Sequence, residues 1–296
     1  MLSFSLIIPT INRKIELENL LESIKNIQYN ELEEIIVIDQ NENNLIDDVV
    51  EKYKKILPIQ HYKVNFKGTS KAKNYGAKMA KGDIINFPDD DSQILPQTLS
   101  TVNEMFKEKK EYSVICGKIE DKEEKQNILN FKNKNVKVNF SNLYQTTIEC
   151  NMFFKRKEFL KVGMFDPNLG IGKYYGAEEG ADLVCRMLYK KIKIYYINET
   201  FFYHPNKKRE EDIEKYYRYG LGTGGFARKH LKEYKCIIPF IYLTLKNVKS
   251  FFLIFICFIK RDKYMINKQI HSIKGRMKGL LGSENSECSN NTWLDS

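Results

Sequence analysis

Three consecutive carboxylates, Asp89, Asp90 and Asp91 in "NFPDDDSQILP", follow directly on the apolar segment "DIINF". Adjacent like charges repel, so the stretch calls for a positively charged partner. Asp89 and Asp91 have the Asp-x-Asp spacing that, on a tight turn, aims hard oxygens at Mg²⁺ or Mn²⁺, cations that share their coordination with substrate phosphates. A turn capping a helix that begins near Pro96 would draw on the same residue types. A second acidic cluster, Glu178, Glu179 and Asp182 in "GAEEGADLVCR", has groups able to take a proton from an attacking hydroxyl, although an acidic helix start reads alike.

The elements that must hold these groups follow from periodicity. "FSLIIPT", "EIIVIDQN", "IQHYKV" and "DIINF" are short β-rich runs of the buried-strand type. Between them Ile15, Leu17, Leu20, Leu21, Ile24 and Ile27, then Leu45, Ile46, Val49, Val50 and Tyr53, recur at helical spacing. "TSKAKNYGAKMAKGD" predicts a third helix, presenting Ala72, Tyr75, Ala77, Met79 and Ala80 and stopped at Gly82. Alternation of this kind predicts an α/β protein with a doubly wound, mostly parallel sheet. Ligands of such sheets bind beyond the carboxyl ends of the strands, where "PTINR", "DQNEN" and "PDDD" all fall. Further on come a helix in "PQTLSTVNEMFKEKK", a strand in "YSVICGKI", a polar stretch from Glu120 to Asn142 and a second apolar group, "CNMFFKR".

The 296 residues, 42% of them hydrophobic, suffice for a sizeable core. Six cysteines without CxxC spacing indicate neither a zinc site nor a disulfide framework, and the N-terminus lacks the pattern of an export signal, so a cytoplasmic protein is expected. The net charge of +10 is local: residues 204–282 carry 18 Lys/Arg against 6 Asp/Glu, and residues 1–203 carry 30 against 29. No aromatic-basic signature for RNA accompanies it, and no nucleic-acid partner is expected. There is no GxxxxGK[ST] loop, and "PTINRKIELENL" has none of the glycines that a sugar nucleotidyltransferase would need to cradle phosphate.

Taken in order, "FSLIIPTINR", "IIVIDQNEN", "SKAKNYGAKMAKGDIINFPDDD" and "EEGADLVCRML" resemble the family 2 glycosyltransferases, inverting enzymes with the GT-A fold. The tail "FYHP…YGLGTGGFARKH" resembles the subgroup that builds bacterial capsular, lipopolysaccharide or exopolysaccharide chains. The resemblance implies a nucleotide-sugar donor, a UDP-sugar by expectation, with Pro9 and Thr10 beside the nucleotide and Asp39 accepting from the uracil or ribose. It implies that Lys73 and Asn74, where relatives carry Arg-Asn, face the diphosphate together with the Asp89 and Asp90 region. Lysine keeps the charge there but loses the bidentate fork. It also implies Mn²⁺ or Mg²⁺ on Asp89 and Asp91, with His204 as a further ligand of metal or diphosphate. Relatives often read Glu-Asp-x-Asp-Leu where this chain reads Glu179-Gly180-Ala181-Asp182-Leu183, so Glu179 is favoured as base over Glu178 and Asp182, and Asp182 is assigned to capping the next helix. A catalytically silent binding protein is the rival reading, favoured by Gly180 in place of an acid. The glycine-rich "GIGKYYGAEEG" and "GLGTGGF" are read as mobile loops closing over donor or acceptor.

The expected organisation is a nucleotide-sugar half (1–95), an acceptor half of the same domain (96–210), a basic, apolar helical extension (211–282) and a disordered tail (283–296). In the extension "CIIPFIYLTL" and "SFFLIFICFI" are two ten-residue apolar runs parted by "KNVK" and followed by "KRDK". Neither run alone is long enough to cross a bilayer, and joining them would put Lys246 and Lys249 in mid-membrane. The pattern predicts helices lying in an anionic headgroup region on the inner face of the cell membrane, which would suit a saccharide acceptor carried on a polyprenyl lipid.

Overall fold

A computed structural model describes residues 1–123, 130–205 and 213–282. The tail 283–296 and residues 124–129 of the polar stretch lie outside the described residues. Strands β1 (Phe4–Thr10), β2 (Leu32–Asp39), β3 (Ile59–Lys63) and β4 (Ile84–Asn86) pair in parallel in the order β3-β2-β1-β4. β1 is buried along its whole length and β2 from Glu34 onward, so both read as unbroken apolar runs without alternation. Helices α1 (Lys14–Lys25), α2 (Asp47–Lys54) and α3 (Thr69–Met79) supply the crossovers. α1 buries Leu17, Leu20, Leu21 and Ile24 at helical spacing, whereas Ile15, part of the same apolar pattern, is exposed.

Beyond β4 the sheet turns mixed. β8 (Met152–Lys155) runs antiparallel to β4, β6 (Val114–Glu120) antiparallel to β8, and β9 (Ile194–Tyr203) parallel to β6. Short β5 (Gln93–Ile94) and β7 (Val136–Lys137) add antiparallel to β9. Both are two residues long, too short to carry a periodic signal. Phe87, Phe154, Phe159 and Phe165 cluster just after β4 in edge-to-face and, for Phe87 and Phe159, tilted contacts, with ring centroids 5.0 to 6.0 Å apart.

Two sequence expectations need correction here. α3 ends at Met79 with Ala80 as its cap, not at Gly82. Gly82 lies so close to β1 that a Cβ there would stand 2.6 Å from the Ser5 backbone nitrogen, so the residue is small for packing and not for capping. α3 also turns Ser70, Ala72, Lys73, Gly76 and Ala77 inward and leaves Tyr75 and Met79 exposed, a face chosen by small size more than by apolarity.

The described chain forms two compact units: residues 1–165 with 183–205, and residues 166–182 with the helices from residue 213 onward. The second contains α7 (Ile213–Glu233), α8 (Ile238–Ile259) and α9 (Lys263–Leu281). Within it Leu169 and Tyr175 form a small core with Leu221 of α7, which ties the 166–182 segment to the C-terminal helices. The motif "GLGTGGF", expected as a mobile loop, is buried in the middle of α7. A Cβ on Gly220 would lie 2.6 Å from Ser272 O, and one on Gly224 would collide with Arg276 O; in return Gly275 and Gly279 of α9 meet Tyr217 O and Leu221 O. Two small-xxx-small stripes thus bring the backbones of α7 and α9 into contact, while Gly222 and Gly225 accommodate the Ala177 backbone and the Tyr175 ring. Gly224→Leu is therefore expected to lower the unfolding free energy by about 3 kcal/mol or more, read as a shifted thermal or urea transition.

Candidate active site

The acidic turn begins where β4 stops, and Asp89 closes it by accepting through its carbonyl from Ser92 N (2.9 Å) and Ser92 Oγ (2.7 Å). Arg13, just beyond β1, answers the charge problem of the turn: its guanidinium lies 2.6 Å from Asp90 and 2.7 Å from Asp91. Burial pushes the Asp90 carboxyl up to about 6, and the Arg13 charge and the Thr10 hydroxyl hold it from rising further. Sequence reasoning placed "PTINR" at this rim but did not single out Arg13. The signal was available, because three adjacent acids require a cation from a neighbouring loop.

His204, at the end of β9, brings Nε2 to 3.1 Å from Asp91 Oδ1, and its Nδ1 faces the Pro205 carbonyl at 3.0 Å. Burial disfavours the imidazolium, but the hydrogen bond to Asp91 and the charges of Asp91 and Asp89 outweigh it, so the His204 pKa lies above its ordinary value. Asp89, Asp91 and His204 each offer a ligand atom, all within 4.8 Å of one another. Two carboxylates and an imidazole whose other nitrogen is held by a backbone carbonyl make a donor set that fits Mn²⁺ or Mg²⁺. Asp91 and His204 also border a cleft of about 290 Å³ lined by Glu16, Asp121 and Tyr203. Asp121 is another acid absent from the sequence reading; it falls in the polar stretch, where no periodicity marks it.

Pro9 and Thr10 close β1 and are buried. Asp39, at the end of β2, is fully buried: Oδ1 accepts from Asn41 N (2.9 Å) and Asn41 Nδ2 (2.7 Å), and Oδ2 lies 3.0 Å from His61 Nε2. His61, on β3, was not anticipated from sequence. Lys73 is 2% exposed, with its ammonium 5.4 Å from the centre of the Phe165 ring. Both Lys73 and Asp89 act electrostatically on the buried Cys150 thiol, whose pKa burial drives far up. Asn74, expected to face a diphosphate, instead clamps the backbone of Phe165, donating to its carbonyl at 2.8 Å and accepting from its N–H at 3.0 Å. Both ends of that amide are thus engaged in structure.

The second acidic cluster belongs to the second unit at its Glu178 to Asp182 end. α6 (Glu179–Tyr189) starts at Glu179, and Asp182 N bonds to Glu178 O, so Asp182 lies inside the first turn and does not cap the helix. Its fully buried carboxylate pairs with Lys229 at 2.8 Å and His230 at 2.9 Å. Glu178 has φ +75°, a disfavoured left-handed value for a residue with a Cβ, and is held by Thr223 Oγ1 (2.8 Å) and Lys246 Nζ (3.4 Å). Glu179 is 7% exposed.

The profile of the family described as Glycosyl transferase family 2 matches residues 5–163. A GalNAc(5)-diNAcBac-PP-undecaprenol beta-1,3-glucosyltransferase of Campylobacter jejuni is 29% identical over 211 residues, covering 67% of this chain and 62% of its own length. Among solved structures, Staphylococcus aureus TarS 1-349 in complex with UDP-GlcNAc superposes with a TM-score of 0.59 at 18% identity, over 78% of this chain and 73% of its own. The mannosyltransferase PcManGT of Pyrobaculum calidifontis, in complex with GDP-Man and Mn²⁺, superposes with a TM-score of 0.66 at 13% identity, over 94% of this chain and 87% of its own. The order β3-β2-β1-β4 with its mixed continuation is the GT-A architecture of these neighbours. The chain belongs to glycosyl transferase family 2.

Proposed function

We propose that the protein is a metal-dependent, inverting glycosyltransferase that moves a sugar from a nucleotide diphosphate, a UDP-sugar by preference, to a hydroxyl of a saccharide acceptor in surface polysaccharide synthesis. The observation that carries this reading is the grouping of Asp89, Asp91 and His204 at the carboxyl edge of the sheet. In that reading the three residues hold Mn²⁺ or Mg²⁺, which supplies Lewis-acid stabilisation of the departing diphosphate. Lys73 adds a fixed positive charge near Asp89, while Asp39 orients Asn41 and His61 at the nucleotide-side rim. Glu179 takes the acceptor proton as the hydroxyl oxygen bonds to the anomeric carbon and the bond to the diphosphate oxygen breaks. Attack opposite the leaving group inverts that carbon through an oxocarbenium-like state.

The name of the Campylobacter relative contains a PP-undecaprenol acceptor, which supports a polyprenyl-linked saccharide as acceptor and peripheral attachment to the inner face of the cell membrane. The choice of Glu179 as base rests on its register in the family motif. The engagement of Asp182 by Lys229 and His230, and of Glu178 by Thr223 and Lys246, agrees with structural roles for the other two acids.

The test is a panel of UDP-, GDP- and dTDP-sugars incubated with Mn²⁺, read as slow release of free nucleotide. Turnover with one donor class, lost on adding EDTA, supports the reading; pyrophosphate-linked synthesis or no turnover with any donor overturns it. Arg13 neutralises Asp91, one of the two carboxylates that the cation needs, so Arg13→Gln is expected to tighten Mn²⁺ binding about tenfold in titration calorimetry.

A further inference from the structure

Helix α8 turns large apolar side chains outward. Its inward stripe buries Leu243 and Cys257 but also carries a paired polar group: Arg276 of α9 donates to Asn247 Oδ1 (2.8 Å) and Ser250 Oγ (3.0 Å), and Ser250 Oγ donates to Gln269 Oε1 (2.8 Å). Lys246 is held by Glu178 at 3.4 Å, and its ammonium sits over the Tyr242 ring at 4.5 Å. The outward stripe is apolar. Leu245, Val248, Phe251, Phe252, Phe255 and Phe258 are each more than 60% exposed, from 61% at Val248 to 73% at Phe258. Such a stripe runs for about 27 Å between Ile241 and Ile259 at the rise of an α-helix, an apolar patch of the kind that marks a protein or membrane contact.

Charge decides between occupants. From Tyr234 to Leu281 the chain carries ten Lys/Arg and one acid, Asp262, and that acid is committed to capping α9 through Met265 N. Lys249, Lys260, Arg261 and Lys263 border the apolar stripe and are exposed. A symmetric second copy would bring these like charges face to face, whereas an anionic phospholipid leaflet complements them.

At 22 residues α8 is the one helix among the described residues long and apolar enough to cross a bilayer, because the two apolar runs join in a single helix. Crossing is disfavoured by its partner. The polar bonds at Asn247 and Ser250 tie α8 to a helix that exposes Lys263, Asn267, Lys274 and Lys278, which would be drawn into hydrocarbon.

We infer that α8 lies in the plane of an anionic membrane leaflet, with the Leu245–Phe258 face among the acyl chains and the flanking lysines and Arg261 on lipid phosphates. The inference rests on the membrane component of the function proposed above and specifies its structural agent. It is tested by cosedimentation of the full-length chain with vesicles of phosphatidylcholine alone and with 30% phosphatidylglycerol. Partitioning about tenfold or more stronger onto the anionic vesicles is expected. Phe252→Gln/Phe255→Gln is expected to weaken it about a hundredfold, since each ring is worth about tenfold in transfer. Both side chains point outward, so the variant should keep the parental circular dichroism and melting transition; Leu245→Gln/Val248→Gln gives an independent second reading. Bound protein should be released by alkaline carbonate.

Absence of binding to either vesicle, unchanged binding by both double variants, or resistance to carbonate would overturn the inference. So would a dimer in sedimentation velocity that the double variants dissolve. Vesicle binding without sugar transfer would leave it standing and sink the transferase reading; transfer to a water-soluble acceptor without vesicle binding would do the reverse.

Discussion

Asp91→Ala is expected to lower kcat/KM for the donor sugar nucleotide by at least about 10³-fold, because a cation at a leaving diphosphate supplies several kcal/mol of transition-state stabilisation. Asp91 is the residue on which the site converges: Arg13 lies 2.7 Å from one of its oxygens and His204 3.1 Å from the other. Its removal would take a ligand from the proposed cation and release the imidazole that faces it. Arg13 remains paired with Asp90, so the turn itself should stay folded. A melting transition close to that of the parent, with activity lost and not rescued by millimolar Mn²⁺, is the expected pattern. Activity within about threefold of the parent would remove Asp91 from the cation site.

Glu179→Gln should reduce kcat by about 10² to 10⁴-fold while KM for the donor changes little, the pattern of a group acting only as the acceptor hydroxyl loses its proton. Slow hydrolysis of the donor by water should fall less than transfer. Glu178→Gln and Asp182→Asn provide the contrast. Each removes a carboxylate held by a cation within the second unit, Lys246 for Glu178 and Lys229 for Asp182. Both should therefore lower thermal stability, the Asp182 change more, since its carboxylate is fully buried against His230, although Lys229 keeps its ion pair with Asp166 at 2.6 Å. A Glu179→Gln enzyme with normal kcat would move the base to another residue.

Much of the sheet was legible because its strands are buried on both faces. β1, β2 and β4 follow the runs "FSLIIPT", "EIIVIDQN" and "DIINF", and the acidic turn falls at the carboxyl edge that the strand order required. Composition misled where size mattered more than polarity. The glycines of "GLGTGGF" look like loop residues in isolation, yet they lie in α7 because the backbone of α9 leaves no room for a Cβ. Lys73, which the family resemblance sets facing the diphosphate, is 2% exposed with its ammonium 5.4 Å from the centre of the Phe165 ring. Arg13 and His61 were passed over because their partners are distant in sequence: Asp90 stands 77 residues from Arg13, and Asp39 22 from His61. No local spacing encodes such pairs; they arise when the parallel strands set their loops side by side. The amide of Asn74 is engaged by the Phe165 backbone, a partner 91 residues away that no local spacing announces.

The most direct test of the central claim is titration calorimetry of the parent protein with UDP-, GDP- and dTDP-sugars, with and without Mn²⁺, and of Asp91→Ala under the same conditions. One sugar nucleotide is expected to bind at least about tenfold more tightly with the cation present, and Asp91→Ala is expected to abolish this gain. Equal affinity with and without cation, or a gain that survives in Asp91→Ala, would contradict it.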